Sequence, residues 1–257
     1  MIDLHCHVLP GIDDGPATLD GSIALARAAR AAGIDTLVAT PHVSAHYPKN
    51  EPDAIARLVA ELDARLREEH IDLRVLPGAE LAIVHLPQLD PAALARLGLG
   101  GGEWLLVEPP FVPVAPGLER LLLDLLEQGR KLVLAHPERC PVFHRDRAML
   151  ESLADAGVLL SITAGSLVGR FGGEVRRFAL ELARDGLLHN VTSDAHDCEQ
   201  RAPGLAGELR EAGLAPLADW LTRDVPGAIL SGAEIPPRPA VELELSRPRW
   251  HAWRARG

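Results

Sequence analysis

The feature that most constrains this chain is where its histidines and acids fall. Short apolar runs alternate with helical patterns, and nearly every run ends in a residue type that can bind a metal ion. Ile2 to His5 reads as a first strand, followed by Cys6-His7 and the loop Asp13-Asp14-Gly15. Ile34 to Ala39 reads as a second, followed by Thr40-Pro41-His42. Leu73 to Leu76 is a third that runs on to Glu80, Trp104 to Val107 a fourth that ends at Glu108, and Lys131 to Ala135 a fifth that ends at His136. Val158 to Ile162 is a sixth, ending in Thr163-Ala164-Gly165-Ser166, and Asn190 to Thr192 a seventh that leads into Asp194 and His196.

Helical patterns fill the gaps. They cover Leu19 to Ala32 (stopped by Gly33), Asp53 to Glu69 behind Pro52, Gly117 to Gln128, Arg145 to Ala156, Glu174 to Asp185 and Pro203 to Ala212. Strands that alternate with helices are parallel and joined by right-handed crossovers. Seven such units predict an α/β fold with barrel-like closure rather than an open sheet. One domain is expected over residues 1–230. A Pro- and Arg-rich tail over 231–257, with Trp250, Trp253 and Arg254, is expected to be an irregular appendage.

In a parallel barrel the strand C-termini converge on one face, and active sites lie there. The set His5, His7, Asp14, His42, Glu80, Glu108, His136, Asp194 and His196 is thereby predicted to share that face. A lone histidine at a strand end is more often hydrogen-bonded than a ligand. A whole ring of them is different, because unpaired carboxylates crowded together repel one another and call for a cation. Imidazole plus carboxylate without an obligatory thiolate suits manganese, zinc, iron or magnesium-like ions. The donors are too numerous for one ion. Two or three ions, bridged by Glu80, Glu108 or Asp194, would use them, and such multi-ion sites typify phosphoester hydrolysis.

Composition excludes other classes. Lys+Arg total 26 against 36 Asp+Glu, a net charge of −10, which argues against a nucleic-acid partner or a polybasic membrane anchor. No apolar run reaches the roughly 18 residues a membrane span needs. The opening Met-Ile-Asp-Leu-His has neither the basic nor the apolar stretch of a signal peptide. The three cysteines, Cys6, Cys140 and Cys198, lack paired spacing, so a reducing cytoplasm is expected. None has an arginine six positions on, where Ile12, Asp146 and Gly204 stand, so no cysteine-based phosphate loop exists. Gly98-Leu99-Gly100-Gly101-Gly102 lacks the Lys-Ser/Thr of a nucleotide-binding loop and reads as a turn.

His5-x-His7, Thr40-Pro41-His42, Glu80, Glu108, His136-Pro137 and Asp194-x-His196 resemble the motif set of the PHP (polymerase and histidinol phosphatase) superfamily. Ile12-Asp13-Asp14-Gly15-Pro16, His136-Pro137-Glu138-Arg139, Ser193-Asp194-Ala195-His196 and Arg201 sharpen the likeness. They are similar to the manganese-dependent protein-tyrosine phosphatases of bacterial capsule and exopolysaccharide operons. The resemblance covers residues 1 to about 230. It implies a distorted (β/α)7 TIM-like barrel with a three-metal site. It also implies a substrate, the phosphotyrosine tail of a partner tyrosine kinase that regulates polysaccharide chain length. By the same resemblance His5, His7 and Asp194 share one ion, Glu80, Glu108 and His136 a second, and Asp14, His42 and His196 a third. Manganese is the implied metal, with iron and zinc as alternatives.

Many members of the superfamily have a histidine where Asp13-Asp14 stand. Here Asp14 is expected to bind and Asp13 to be hydrogen-bonded within the loop. Arg139 and Arg201 are expected to grip phosphate oxygens, for which the guanidinium fork is shaped. Hydrolysis would then proceed by in-line attack of a metal-activated hydroxide, with Asp197 as a weak candidate acid. His46 and Tyr47, in the loop after His42, are placed to border a substrate. The alternative function is a small-molecule phosphoesterase such as histidinol-phosphate phosphatase. An amidohydrolase-type reading lacks the strand-four lysine such enzymes use, since that position is Glu108.

Overall fold

A computed structural model describes residues 1–245. Trp250, Trp253 and Arg254 lie outside the described residues. The strands are β1 (Ile2–Cys6), β2 (Thr36–Ala39), β3 (His42–Val43), β4 (Arg74–Pro77), β5 (Glu80–Ala82), β6 (Trp104–Glu108), β7 (Lys131–Ala135), β8 (Leu159–Thr163) and β9 (Asn190–Thr192). The α-helices are α1 (Leu19–Ala31), α2 (Pro52–Glu68), α3 (Pro91–Ala95), α4 (Leu118–Glu127) and α5 (Pro141–Arg145). They continue with α6 (Arg147–Asp155), α7 (Ala164–Leu167), α8 (Gly173–Arg184), α9 (Ala206–Ala212) and α10 (Val225–Ser231). Among the described residues, no helix is long and apolar enough to cross a membrane.

Every strand pairing is parallel. The strands form two sheets, β1-β2-β4 and β3-β5-β6-β7-β8-β9, rather than one continuous ring. The split arises at two places: a further short strand, β3, follows the expected second strand, and the expected third strand, running on to Glu80, divides into β4 and β5. Pro41 has no N–H to give to a ladder, and the chain turns there between β2 and β3. Gly78 breaks the other: a Cβ at Gly78 would fall 2.6 Å from Val38 Cγ1, so only glycine lets the chain pass that close. The consequence for the site is direct. β3 and β5 pair with His42 opposite Glu80, and Ala82 in β5 pairs with Glu108 in β6.

The sheets meet again at the far edge. Cys6 bridges Ala195 in parallel, His7 N–H donates to the Ala195 carbonyl at 2.9 Å, and Asp194 N–H donates to the His5 carbonyl at 2.9 Å. These bonds set the end of β1 beside the end of β9.

Helices form where an apolar stripe and a cap coincide. Thr18 caps α1 by accepting from Gly21 N–H. Pro52 opens α2, whose Ile55, Val59, Leu62 and Leu66 are buried at helical spacing. The helix expected from Arg145 begins at Arg147, because Asp146 accepts from Met149 N–H and starts α6 there, while the short α5 before it was not expected. The one expected from Pro203 begins only at Ala206. α10 and the turn Trp220–Asp224 occupy a stretch where no element was expected, and α10 lies against β1. The described part of the tail has no regular structure but is tied to the body. Trp220 Nε1 donates to the Pro236 carbonyl at 3.0 Å, and Arg238 donates to the Ala183 carbonyl at 3.0 Å.

Candidate metal centre

Strand alternation turns His5 and His7 to the same side and buries both, while Cys6 between them packs away, its thiol against the Ala195 carbonyl at 3.5 Å. Their Nε2 atoms stand 3.1 Å apart. Glu80 sits at the centre of the group. Its carboxylate lies 2.8 Å from His136 Nε2, 2.9 Å from His42 Nδ1, 3.3 Å from His5 Nε2 and 3.4 Å from His7 Nε2. Glu108 is 3.9 Å from both His42 and His136. Asp194 Oδ1 lies 3.5 Å from His5 and 3.6 Å from His7. Asp14 closes the rim, 3.3 Å from His196 and 3.5 Å from His42.

Three donor sets each lie within 4.8 Å of one another: His7, Asp14, His42 and His196; His5, His7 and Glu80; and His42, Glu80 and Glu108. This grouping differs from the partition the resemblance implied, since His7 and His42 each serve two sets around Glu80. Asp194 and His136 join none of the three, although both touch the cluster.

The electrostatics fit cations. Burial raises Glu108 to about 7, with the charge of Glu80 adding to it. Burial opposes charge on His7, yet its contacts with Asp13 and Glu80 outweigh that and raise it to about 10. Burial likewise opposes ionisation of Asp194, but its electrostatic contacts with His5, His136 and Arg201 hold the carboxyl well below its usual range. Glu80 Oε2 and His196 Nε2 are buried without a hydrogen bond of proper geometry. Orphaned donors and a repelled carboxylate in one small volume are what bound divalent ions would satisfy.

Supporting groups aim the ligands. Asp13 accepts at 2.8 Å from His7 Nδ1, from the His42 N–H and from the Gly15 N–H, so it orients His7 rather than joining the donor sets. The loop reaches His7 only because Gly15 has no side chain; a Cβ there would stand 2.3 Å from the His7 carbonyl oxygen. Asn50 donates to the carbonyls of His42 and Ile12. Two acids that sequence reasoning passed over also hold the face together. Buried Asp3, raised to about 6 by desolvation, accepts from the Ser193 hydroxyl and amide just before Asp194. Buried Glu138 accepts from the Ser166 hydroxyl and the Thr163 amide, tying the end of β7 to the end of β8. Backbone φ is positive at His136 (32°) and Asp194 (51°), a strained region for residues other than glycine.

Arg139 and Arg201 converge on one atom, each 2.5 Å from Asp194 Oδ2. Arg139 is flanked by Phe171 at 4.4 Å and Phe111 at 5.4 Å. Asp197 has a different task from the acid role expected. Its Oδ1 accepts the amides of Glu199, Gln200 and Arg201, so it anchors the turn that presents Arg201. Those bonds keep its carboxyl below the ordinary range despite some desolvation, which is wrong for a proton donor. Tyr47 stacks on His42, 5.6 Å between centroids and 9° from parallel. Phe111, not singled out from the sequence, stacks on His136 at 5.4 Å. The only advance sign of it was an aromatic residue after Glu108-Pro109-Pro110 in a chain with 4% aromatics.

Comparison with known proteins places this geometry. Over 201 residues, 78% of this chain and 79% of the relative, it is 41% identical to the tyrosine-protein phosphatase YwqE of Bacillus subtilis. It is 27% identical to the tyrosine-protein phosphatase CpsB of Streptococcus pneumoniae over 79% of this chain and 86% of that one. A structure from a crystallographic study of those two proteins, described as unique metal-dependent tyrosine phosphatases, superposes with a TM-score of 0.81 at 35% identity. It covers 94% of this chain and all of that one. Residues 1–211 match the sequence pattern of the capsular polysaccharide synthesis family CpsB/CapC, and the chain belongs to that family.

Proposed function

We propose that this chain is a manganese-dependent phosphotyrosine-protein phosphatase of the cytoplasm. Its substrate in this reading is the phosphorylated tail of a bacterial tyrosine kinase that governs capsule or exopolysaccharide assembly. The observation that carries the reading is the meeting of Arg139 and Arg201 at Asp194, on the edge of a donor cluster centred on Glu80. We read the two sheets together as a distorted seven-stranded barrel, with residues 1–230 as its catalytic unit and the Cys6–Ala195 bridge as its seam.

His5, His7, Asp14, His42, Glu80, Glu108, His136, Asp194 and His196 would hold two or three ions. Such ions acidify water and draw the phosphate oxygens. Arg139 and Arg201 donate to those oxygens and neutralise the charge that grows as water attacks phosphorus in line with the departing oxygen. Asp13 fixes the His7 ring so that Nε2 faces the cluster. A phenolate leaves with a pKa near 10 and needs little protonation, which suits a site where Asp197 is committed to a turn.

The test is phosphate release from a phosphotyrosine peptide and from histidinol phosphate, side by side with manganese and with a chelated control. Faster, chelator-sensitive release from the peptide is expected. Preference for histidinol phosphate would overturn the proposal and point to a small-molecule phosphoesterase.

A further inference from the structure

A cleft of about 460 Å³ opens directly off the donor cluster. Its inner end is formed by His42 and Glu108, and Tyr47 and Phe111 both line it. Each aromatic ring rests on a cluster histidine, Tyr47 on His42 and Phe111 on His136. Apart from Glu108, no acidic residue, lysine or arginine among the described residues lines the cleft. It thus lacks the guanidinium pair that suits phosphate oxygens, which belong at Arg139 and Arg201, and its polar lining is otherwise limited to neutral side chains such as Ser44 and Gln88 and to histidines. It does offer apolar surface that water covers poorly: Phe111 is 47% exposed and Val84, on the same cleft, 65%.

We propose that this cleft is the leaving-group subsite, an aryl slot in which Tyr47 and Phe111 select the phenolic over the aliphatic phosphomonoester. The inference rests on the phosphatase reading above and deepens it. With phosphate held at the arginines, the ester oxygen's substituent extends past His42 and Glu108 and enters the slot. A flat ring there stacks in offset or edge-on geometry on the two aromatics, while an alkyl chain gains only general burial. Hydrolysis releases the phenol from the slot and inorganic phosphate from the arginines. The ring occupies the slot before and during reaction, so its contacts act mainly on KM.

Phenyl phosphate and histidinol phosphate are compared on the wild-type protein and on Tyr47→Leu, Phe111→Leu, Tyr47→Phe, Phe111→Tyr and Val84→Asp. The two Leu variants and Val84→Asp are expected to raise KM for phenyl phosphate about 10-fold, with the aryl-to-alkyl ratio of kcat/KM falling alike. Tyr47→Phe and Phe111→Tyr restore the ratio. Phe111 also touches Arg139, so Tyr47→Leu is the cleaner arm.

A binding readout stands apart from turnover. Tyr47 is the only tyrosine of the chain, so ring-labelled tyrosine gives one signal in the zinc-loaded protein. Phenylphosphonate is expected to shift it, and methylphosphonate at equal saturation to leave it in place. An aryl-to-alkyl ratio of kcat/KM unchanged from wild type in both Leu variants, or equal shifts from the two phosphonates, overturns the slot and leaves the phosphatase reading standing; some aryl preference persists in any case, because phenolate is the better leaving group. A wild-type preference for histidinol phosphate overturns both.

Discussion

The two ends of the strands are built on opposite principles. At the C-terminal ends the charges are crowded and shared: Glu80 alone faces His5, His7, His42 and His136. Positive φ at His136 and Asp194 adds backbone strain there. At the N-terminal ends most charges meet one close partner or are replaced by neutral hydrogen bonds. The Met1 amine meets Asp35 at 2.8 Å, Lys131 meets Glu103 at 2.8 Å, and Ser161, buried in β8, donates to Asn190. An end that only holds the fold can satisfy each group by itself. In the proposed reading, an end that binds ions and an anion leaves its groups partly unsatisfied by the protein alone.

The largest effects should come from breaking the crowded end. Asp194→Ala or His136→Ala is expected to lower kcat by at least about 10³-fold and to reduce bound metal measured by elemental analysis. Full metal content with near-normal kcat in either variant would remove it from the ligand set. Arg139→Ala is expected to cost about 10²- to 10³-fold in kcat with metal retained. Metal loss in that variant would make the arginine a prop for Asp194 rather than a phosphate donor.

Next is the dependence of stability on the ions. Ions bound only by the folded chain stabilise it by mass action, about 2.7 kcal/mol at 100 times Kd. Chelation should therefore lower the melting temperature, and it should do so less in Asp194→Ala, which starts with fewer ions. An unchanged melting temperature after verified metal removal would mean that the crowded end is held by the protein alone.

How much of this contrast was readable in the sequence follows from what sets each position. The gathering of His5, His7, His42, His136 and His196 was legible because each ends an apolar run or follows it within a few residues, and parallel strands send those positions to one face. The division of the third strand was not legible, since it depends on Gly78 passing Val38, a contact between remote segments. Asp3 and Glu138 look like ordinary acids in sequence, and only burial against Ser193 and Ser166 reveals their work. The bonds that hold Asp197 were not legible, because standing next to His196 says nothing about which way a carboxylate turns; three amides hold it. The start of α6 at Asp146 rests on a cap that competes with continued helix, a balance periodicity does not resolve.

The smaller effects belong to the singly paired end. Lys131→Ala removes a partly exposed ion pair with Glu103 and a contact 5.9 Å from the Trp104 ring. It should cost no more than about 1 kcal/mol of stability, read by denaturant titration, with kcat/KM unchanged. A loss of activity in this variant would show that the two ends are coupled.

His189 gives the subtlest separation. It sits just before β9, where its Nδ1 accepts the Leu160 amide at 3.2 Å and its own amide donates to the Leu160 carbonyl at 3.1 Å. Burial lowers its pKa below the ordinary 6.5, only partly offset by a backbone hydrogen bond at Leu187. Between the folded and unfolded values the unfolded chain holds the extra proton, so stability rises with pH there. The contribution is complete above about 6.5 and is lost as pH falls below it, when protonation would also take Nδ1 from the Leu160 amide. His189→Asn keeps an acceptor near that position but cannot titrate. The melting temperature of the wild-type protein should fall more steeply than that of His189→Asn from pH 6.5 down to about 5, with equal turnover at pH 8. Because the cluster histidines titrate in both proteins, the difference between the two slopes isolates His189. Equal slopes would mean that acid acts only through the crowded end, and that the singly paired end is insensitive to pH in this range.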